Sequence, residues 1–404
     1  NTPLAPLKGG NTETEAPPWG LYVNENSEQV LQWQLPETVE HQVIIRGAAV
    51  SAKAGAPVNT ELTKTLLEQI AKHSKKISRL LEDVNDDEEE VDERVIRQTI
   101  IDSFPAPVGE QLRKLFASNS IDVQHLQQLV VTYETIVELF CFTMLSQLWD
   151  ARHTDRALKI NADHLAEFNG FFALSADNQP AFNYIKLITT VANIFSENEI
   201  APFIEEFSGL NEVLRQDEFN QAHRFMEEMQ AELQSGKVAA EEIESFCIQT
   251  EKHLGTIITA FAFLVKYKLT TIKRIDIIKM RHKEPMYRHS QVMLDRVTAG
   301  TLDRESDYAS FTDSQSVILL KTVKDVEHYL SLSPFVIDEN ALTCDENSKL
   351  FFYSFHNRND DSYHFHFVDN AEDKLIVSEN QYAQIKAQFD EFREAVFGQE
   401  ELDR

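Results

Sequence analysis

His364 and His366 stand two apart in a segment where Tyr363, Phe365 and Phe367 alternate with them. That period-2 pattern puts both imidazoles on one face of a strand. A His-x-His pair is the beginning of a zinc or copper site, but such a site needs further ligands. His356, Asp360, Asp361 and Asp369 lie close by in sequence. Aspartates are ordinary residues of hairpin turns, so neither a metal nor any other cofactor is expected.

Arg358 and His364, with five residues between them, come nearest to the Arg/His pair of helical-bundle ribonucleases of the HEPN kind. In such enzymes the pair shares one helix and handles the scissile phosphate across a dimer interface. Here it spans a predicted hairpin turn. His282, Arg288 and His289 have suitable side chains at unsuitable spacing. The sequence contains no GxxxxGK[ST] phosphate loop, no GxGxxG, no GxSxG elbow and no HExxH. Acidic residues are too abundant for a carboxylate pair to carry information. The chain is therefore read as a protein that is not an enzyme, with a HEPN-like ribonuclease as an alternative.

Charge gives the remaining candidates. The 38 basic and 66 acidic side chains leave a net charge of −28, which disfavours direct binding to nucleic-acid phosphate. Between Asp83 and Glu93 lies an acidic run with Asp86, Asp87, Glu88, Glu89 and Glu90 at its centre. It is either a solvated segment or a docking surface for a basic partner. Against this background Lys279, Arg281, His282, Lys283, Arg288 and His289, with Arg296 and the intervening Tyr287, form the one cationic cluster. Read as the loops of Asp276–Val297, it can meet an acidic segment, a phosphate or RNA, or the chain's own acidic helical surface. These two stretches are the expected sites for a protein partner.

At 404 residues the chain has room for two or three domains. Twelve Gly and 12 Pro, with 26 Phe, favour long helices over many short strands. Cys141, Cys247 and Cys344 are odd in number, widely spaced and contain no CxxC, which encodes neither a disulfide framework nor a zinc knuckle. The first ten residues lack the basic-then-apolar layout of a signal peptide. No run reads as the ~18 apolar residues of a membrane span. The expectation is a cytoplasmic protein that engages no membrane.

Residues 1–20 read as a flexible tail and 21–94 as N-terminal strands and a helix. Gln29–Leu35 and His41–Val50 lean towards strand. A helix from Thr60 carries Leu62, Leu66, Ile70, Ile77 and Leu81 at helical spacing. Residues 95–271 form a helical domain in which Asp122 caps a long helix running through Phe140 to Leu148. Further helices cover Phe182–Phe195, Leu210–Leu233, ended by Ser235-Gly236, and Ile243–Leu264. Residues 272–404 form a β-rich module with strands at Thr270–Lys279, Ser316–Lys321, Val336-Ile337, Leu350–Phe355, Tyr363–Val368 and Leu375–Val377. A final helix carries Tyr382, Ile385, Phe389, Phe392 and Val396, with Ser378 and Gln381 as its capping box. The fold class is mainly α: a multi-helix bundle followed by a small β-rich module and a C-terminal helix, α+β overall.

Asp102-Ser103-Phe104-Pro105-Ala106-Pro107 and the helix through Tyr133-Glu134 to Leu145–Trp149 resemble a helical regulatory module of bacterial conflict and defence signalling proteins. The resemblance continues at Ile257–Ile278, Leu330-Ser331-Leu332-Ser333-Pro334-Phe335 and Leu350-Phe351-Phe352-Tyr353. Such modules accompany caspase-like (CHAT) proteases, kinases or STAND ATPases. The resemblance implies regulation through protein contact, with a protease or a transcription or signalling factor as partner. The chain is also similar in type to the accessory protein of type III-E CRISPR systems. That protein is cut by an RNA-guided caspase-like protease, and its fragments regulate a sigma factor.

Overall fold

The computed structural model describes residues 19–23, 29–33, 58–85, 92–118, 120–155, 158–294, 297, 303–322, 325–343 and 347–398. The chain divides into two compact units, Asn1–Val58 and Asn59–Arg404. In the first, strands β1 (Trp19–Val23) and β2 (Gln29–Trp33) pair antiparallel, with Trp19 opposite Trp33. Strand β1 thus begins inside the stretch read as a tail. The strand expected at His41–Val50 lies outside the described residues.

The second unit is a mostly helical α+β structure: helices first, then two antiparallel sheets, then a terminal helix. Helices α1 (Thr60–Ala71) and α2 (Lys75–Asn85) replace the single helix expected from Thr60, because residues 72–74 turn between them. Then follow α3 (Glu93–Ile101) and α4 (Ala106–Ala117). Pro105 precedes α4 and Pro107 sits in its first turn, where missing N–H groups cost nothing. Gly109 lets α4 cross close to α3. A Cβ there would lie 2.7 Å from the Ile101 carbonyl oxygen.

Helix α5 (Val123–Thr154) is the spine. The Asp122 carboxylate accepts from the His125 N–H and caps it as expected. Contrary to the sequence reading, α5 is long and apolar enough to cross a membrane. However, 89% of its apolar window is buried inside the protein, because α4, α7 (Tyr184–Glu197), α10 (Ile243–Phe261) and α12 (Ala383–Phe397) pack around it. The remaining helices are α6 (Ala162–Phe172), α8 (Leu210–Leu214), α9 (Asp217–Ser235) and α11 (Glu339–Thr343). The expected Leu210–Leu233 helix is broken at Arg215-Gln216. Gly236, at φ 65°, ends α9 as expected.

One sheet has the order β5-β4-β3-β6-β7, from β3 (Lys268–Ile278), β4 (Met286–Met293), β5 (Asp303–Tyr308), β6 (Ser316–Leu320) and β7 (Tyr329–Ser331). The other has the order β11-β10-β9-β8, from β8 (Val336–Asp338), β9 (Leu350–Asn357), β10 (Ser362–Phe367) and β11 (Lys374–Val377). In the stretch 276–297, read as loops, residues 286–293 are strand β4 and 276–278 end β3, while 279–285 are the turn between them. Strand β4 went unread because polar residues occupy both of its faces. The expected capping box also fails. Ser378 and Gln381 exchange backbone hydrogen bonds in a tight turn, and α12 starts after Tyr382 at φ 61°.

Helices and sheets share one hydrophobic core. Phe335, before β8, lies 6.0 Å from the Phe142 ring of α5 and 4.9 Å from Phe392 of α12. The composition change near residue 271 marks a switch from helix to strand, with the core continuing across it. Cys141 and Cys247 are buried free thiols.

Candidate functional site

A cleft of about 730 Å³ opens between α5, α7, α9 and the β9–β10 hairpin. Helix α5 presents Tyr133, Glu134 and Glu138 to it. Like charges at i and i+4 weaken a helix, and here the polar wall of the cleft surrounds them.

Two hydroxyl–imidazole–carboxyl chains line that wall. The Tyr133 hydroxyl is 2.7 Å from His223 Nδ1, and His223 Nε2 is 3.5 Å from Glu227 Oε2. The Ser354 hydroxyl is 2.8 Å from His366 Nδ1, and His366 Nε2 is 3.5 Å from Glu138 Oε2. Between them Gln230 donates to Glu134 and to the Pro180 carbonyl. Asn183 caps α7 through Oδ1, and its Nδ2 donates to Glu227 at 2.8 Å and lies 3.3 Å from His223 Nε2.

Burial sets the protonation of these groups. Loss of hydration pushes Glu138 up to about 8, helped by the nearby Glu134 carboxyl, and pushes Glu134 up to about 7. Glu227 is raised by the same cause. Burial drives His223 and His366 down to about 4, with smaller contributions from Arg224 and Lys374 respectively. Both histidines are neutral at pH 7, and Glu138 is largely protonated. The Ser354–His366–Glu138 chain has the composition of a hydrolytic triad but lacks its electrostatics. A neutral carboxyl does not stabilise an imidazolium, and so weakly basic a histidine is a poor proton acceptor from serine. The wall is suited to hydrogen bonding a bound group.

The histidines singled out in the sequence separate. His364 and His366 do share a face of β10, while Tyr363, Phe365 and Phe367 are buried on the other. His364 stacks on Phe355 at 4.5 Å, and His366 turns to Ser354 and Glu138. His356 lies 3.0 Å from Asp361 and stacks on Tyr363, on the opposite face. Among the described residues no three His, Cys, Asp or Glu side chains are grouped to hold a metal ion. Arg358 is exposed in the β9–β10 turn.

The cationic cluster also divides. Lys279, Arg281, His282 and Lys283 are exposed in the β3–β4 turn, with His282 at φ 62°. Arg288 faces Asp307 across the ladder at 2.8 Å. His289 is fully buried, its Nε2 accepting from the Thr312 N–H. Neither belongs to the turn, and His282 and His289 do not form a site together. Asp86, Asp87, Glu88, Glu89 and Glu90 lie outside the described residues, as does Arg296.

Sequence reasoning passed over the cleft because Glu134 and Glu138 were lost among 66 acidic residues. The available signal was their position: two carboxyl side chains four apart, inside the longest of the described helices. Compared with protein-family models, curated proteins and solved structures, the chain matches none.

Proposed function

We propose that the chain is a non-enzymatic interaction protein that holds a basic segment of a protein partner in this cleft. The observation carrying the reading is that Glu134, Glu138 and Glu227 face a concave site with no lysine or arginine bridged to any of them among the described residues. Their hydrogen-bond partners are Gln230, Gln179 and Asn183, with the neutral rings of His366 and His223 3.5 Å from Glu138 and Glu227. Within the cleft lining Lys114 is taken up by Asp369, and elsewhere carboxylates recruit cations, as in Lys186–Glu167 and Lys266–Glu206. A carboxyl shielded from water is uncharged or paired, and an incoming ammonium or guanidinium supplies the pair. Placement in a prokaryotic defence or stress-signalling circuit rests on the sequence resemblance alone. The protease-substrate and ribonuclease readings have no comparable observation in their favour.

Affinity capture from host lysate tests the proposal, using the wild type and a Glu134→Gln/Glu138→Gln variant, which keeps shape while removing both carboxyls. The expected result is one stoichiometric protein retained by the wild type, and lost at high salt and by the variant. Equal retention by both proteins would remove the cleft from partner binding. Loss only on charge reversal of Asp86–Glu90 would move the docking surface to that run.

A further inference from the structure

We infer that the β3–β4 turn is a docking point for an anionic lipid surface, a role separate from the cleft. Of the nine large apolar side chains exposed among the described residues, Ile277, Met280, Met286 and Phe311 lie at this end of the sheet, Ile277 and Phe311 on the Tyr287 side and Met286, opposite Ile278, on the other. Ile277 is 70% exposed, Phe311 64% and Met280 56%. Scattered exposed apolar residues are ordinary, whereas a gathered set marks an interaction surface.

The backbone explains why they stay uncovered. Strand β3 pairs with β6 only as far as Ile272, but with β4 out to Ile278. The outer half of β3 therefore has β4 as its one strand neighbour, while β5 flanks β4 as far as Tyr287, one pair short of the end of the ladder. At its end Lys279, Arg281 and Lys283 are exposed and make no salt bridge among the described residues, while Arg274 and Arg288 further back are paired to Asp276 and Asp307. The Lys279 ammonium rests on the Lys283 carbonyl within the turn. Unpaired cations ringing apolar side chains on an exposed turn suit shallow insertion among anionic headgroups. The net charge of −28 repels such a surface as a whole. Screening over about 8 Å at physiological salt isolates the tip from the rest of the molecule.

RNA fits the same cations less well. Tyr287 already packs on Phe311, ring centroids 5.2 Å apart, so it is not free to stack on a base. Ile277 and Met280 have no counterpart on a phosphodiester backbone. Lipid contact at this turn departs from the expectation that no membrane is engaged.

Flotation of the full chain with vesicles provides the test, using phosphatidylcholine alone or with phosphatidylglycerol as a third of the lipid. The wild type should float only with the anionic vesicles, less at high salt. Each cation is worth roughly fivefold in affinity, so Lys279→Glu/Arg281→Glu/Lys283→Glu should abolish flotation. Ile277→Ser/Met280→Ser should weaken it about tenfold, since each loses apolar contact with the acyl boundary. All five positions are exposed, and unchanged melting temperatures would confirm intact folds. Failure of the wild type to float, equal flotation with both lipids, or indifference to the Ile277/Met280 change would overturn the inference. Binding to RNA that needs the cations and ignores the apolar pair would assign the turn to nucleic acid.

Discussion

Phe335→Ala is expected to lower the unfolding free energy by about 3–5 kcal/mol, the usual cost of emptying a buried aromatic site, and to melt helices and sheets in a single transition. Phe335 is completely buried. Its ring lies parallel to Phe142 of α5, edge-on to Phe389 and Phe392 of α12, and 6.4 Å from Phe171 of α6. Four rings on three helices therefore lose a common neighbour at once, and close packing leaves little room for them to collapse inward. Polar ties reinforce the same joint. Gln111 of α4 donates to the Val368 carbonyl, and Arg152 of α5 donates to the Ala395 carbonyl in α12. Urea unfolding followed by far-ultraviolet circular dichroism and by Trp149 fluorescence, with Trp19 and Trp33 replaced by Phe, checks the claim, since Trp149 packs 5.9 Å from Phe392. A loss below about 1 kcal/mol, or a helical transition that keeps the wild-type midpoint while the sheet melts early, would mean the β-rich part folds independently.

The second large effect is a pH dependence. Because burial raises Glu138 to about 8 in the folded state from an ordinary value of 4.5, the native state holds a proton there that the unfolded chain has released. Stability therefore falls as pH rises from about 4.5 towards 8. Glu134, raised to about 7, adds a slope of the same sign. His223 and His366 act oppositely. Held down to about 4 from 6.5, they favour the native state once neutral, and that contribution is lost as pH falls from 6.5 to 4. Below 6.5 the two effects oppose each other; above it only the carboxyls act. Glu138→Gln, which mimics the protonated acid, should be close to wild type at pH 5. At pH 8.5 it should be more stable by about 1–4 kcal/mol, at roughly 1.4 kcal/mol for every pH unit by which the folded protein raises the carboxyl. Melting temperatures of both proteins across pH 5–8.5 decide it. A variant less stable than wild type at pH 8.5 would show that Glu138 is charged and paired in the native protein.

The fold was legible wherever one physical signal dominated. Asp122 capped its helix, Gly236 ended another, and the Tyr363–Phe365–Phe367 alternation placed β10 and its buried face. Those signals are local, so sequence suffices to read them. Strands β4 and β5 were hidden because MYRHSQVM and DRESDY are polar on both faces. Their pairing is decided by β3 alongside them, and no local propensity announces it. The capping box at Ser378 failed for the opposite reason: a tight turn captured the same backbone groups first.

The cleft was the least legible feature, since its walls come from residues as far apart as Tyr133, His223, Ser354 and His366. Only the pair Glu134 and Glu138 marked it locally. The cationic stretch shows the converse error. Six residues close together in sequence were read as one surface. The β-ladder instead buries His289 and pairs Arg288, leaving Lys279, Arg281, His282 and Lys283 at the turn.

Site-specific photo-cross-linking tests most directly whether the cleft holds a basic segment. A photoreactive residue would replace Gln234 at the cleft rim, or Ile248, an exposed position that does not line it. If the cleft is the docking site, the Gln234 position alone cross-links to one protein, at a peptide containing lysine or arginine, and Glu134→Gln/Glu138→Gln abolishes the product. Cross-links of equal yield from Ile248, or a product that survives the double substitution, would contradict it.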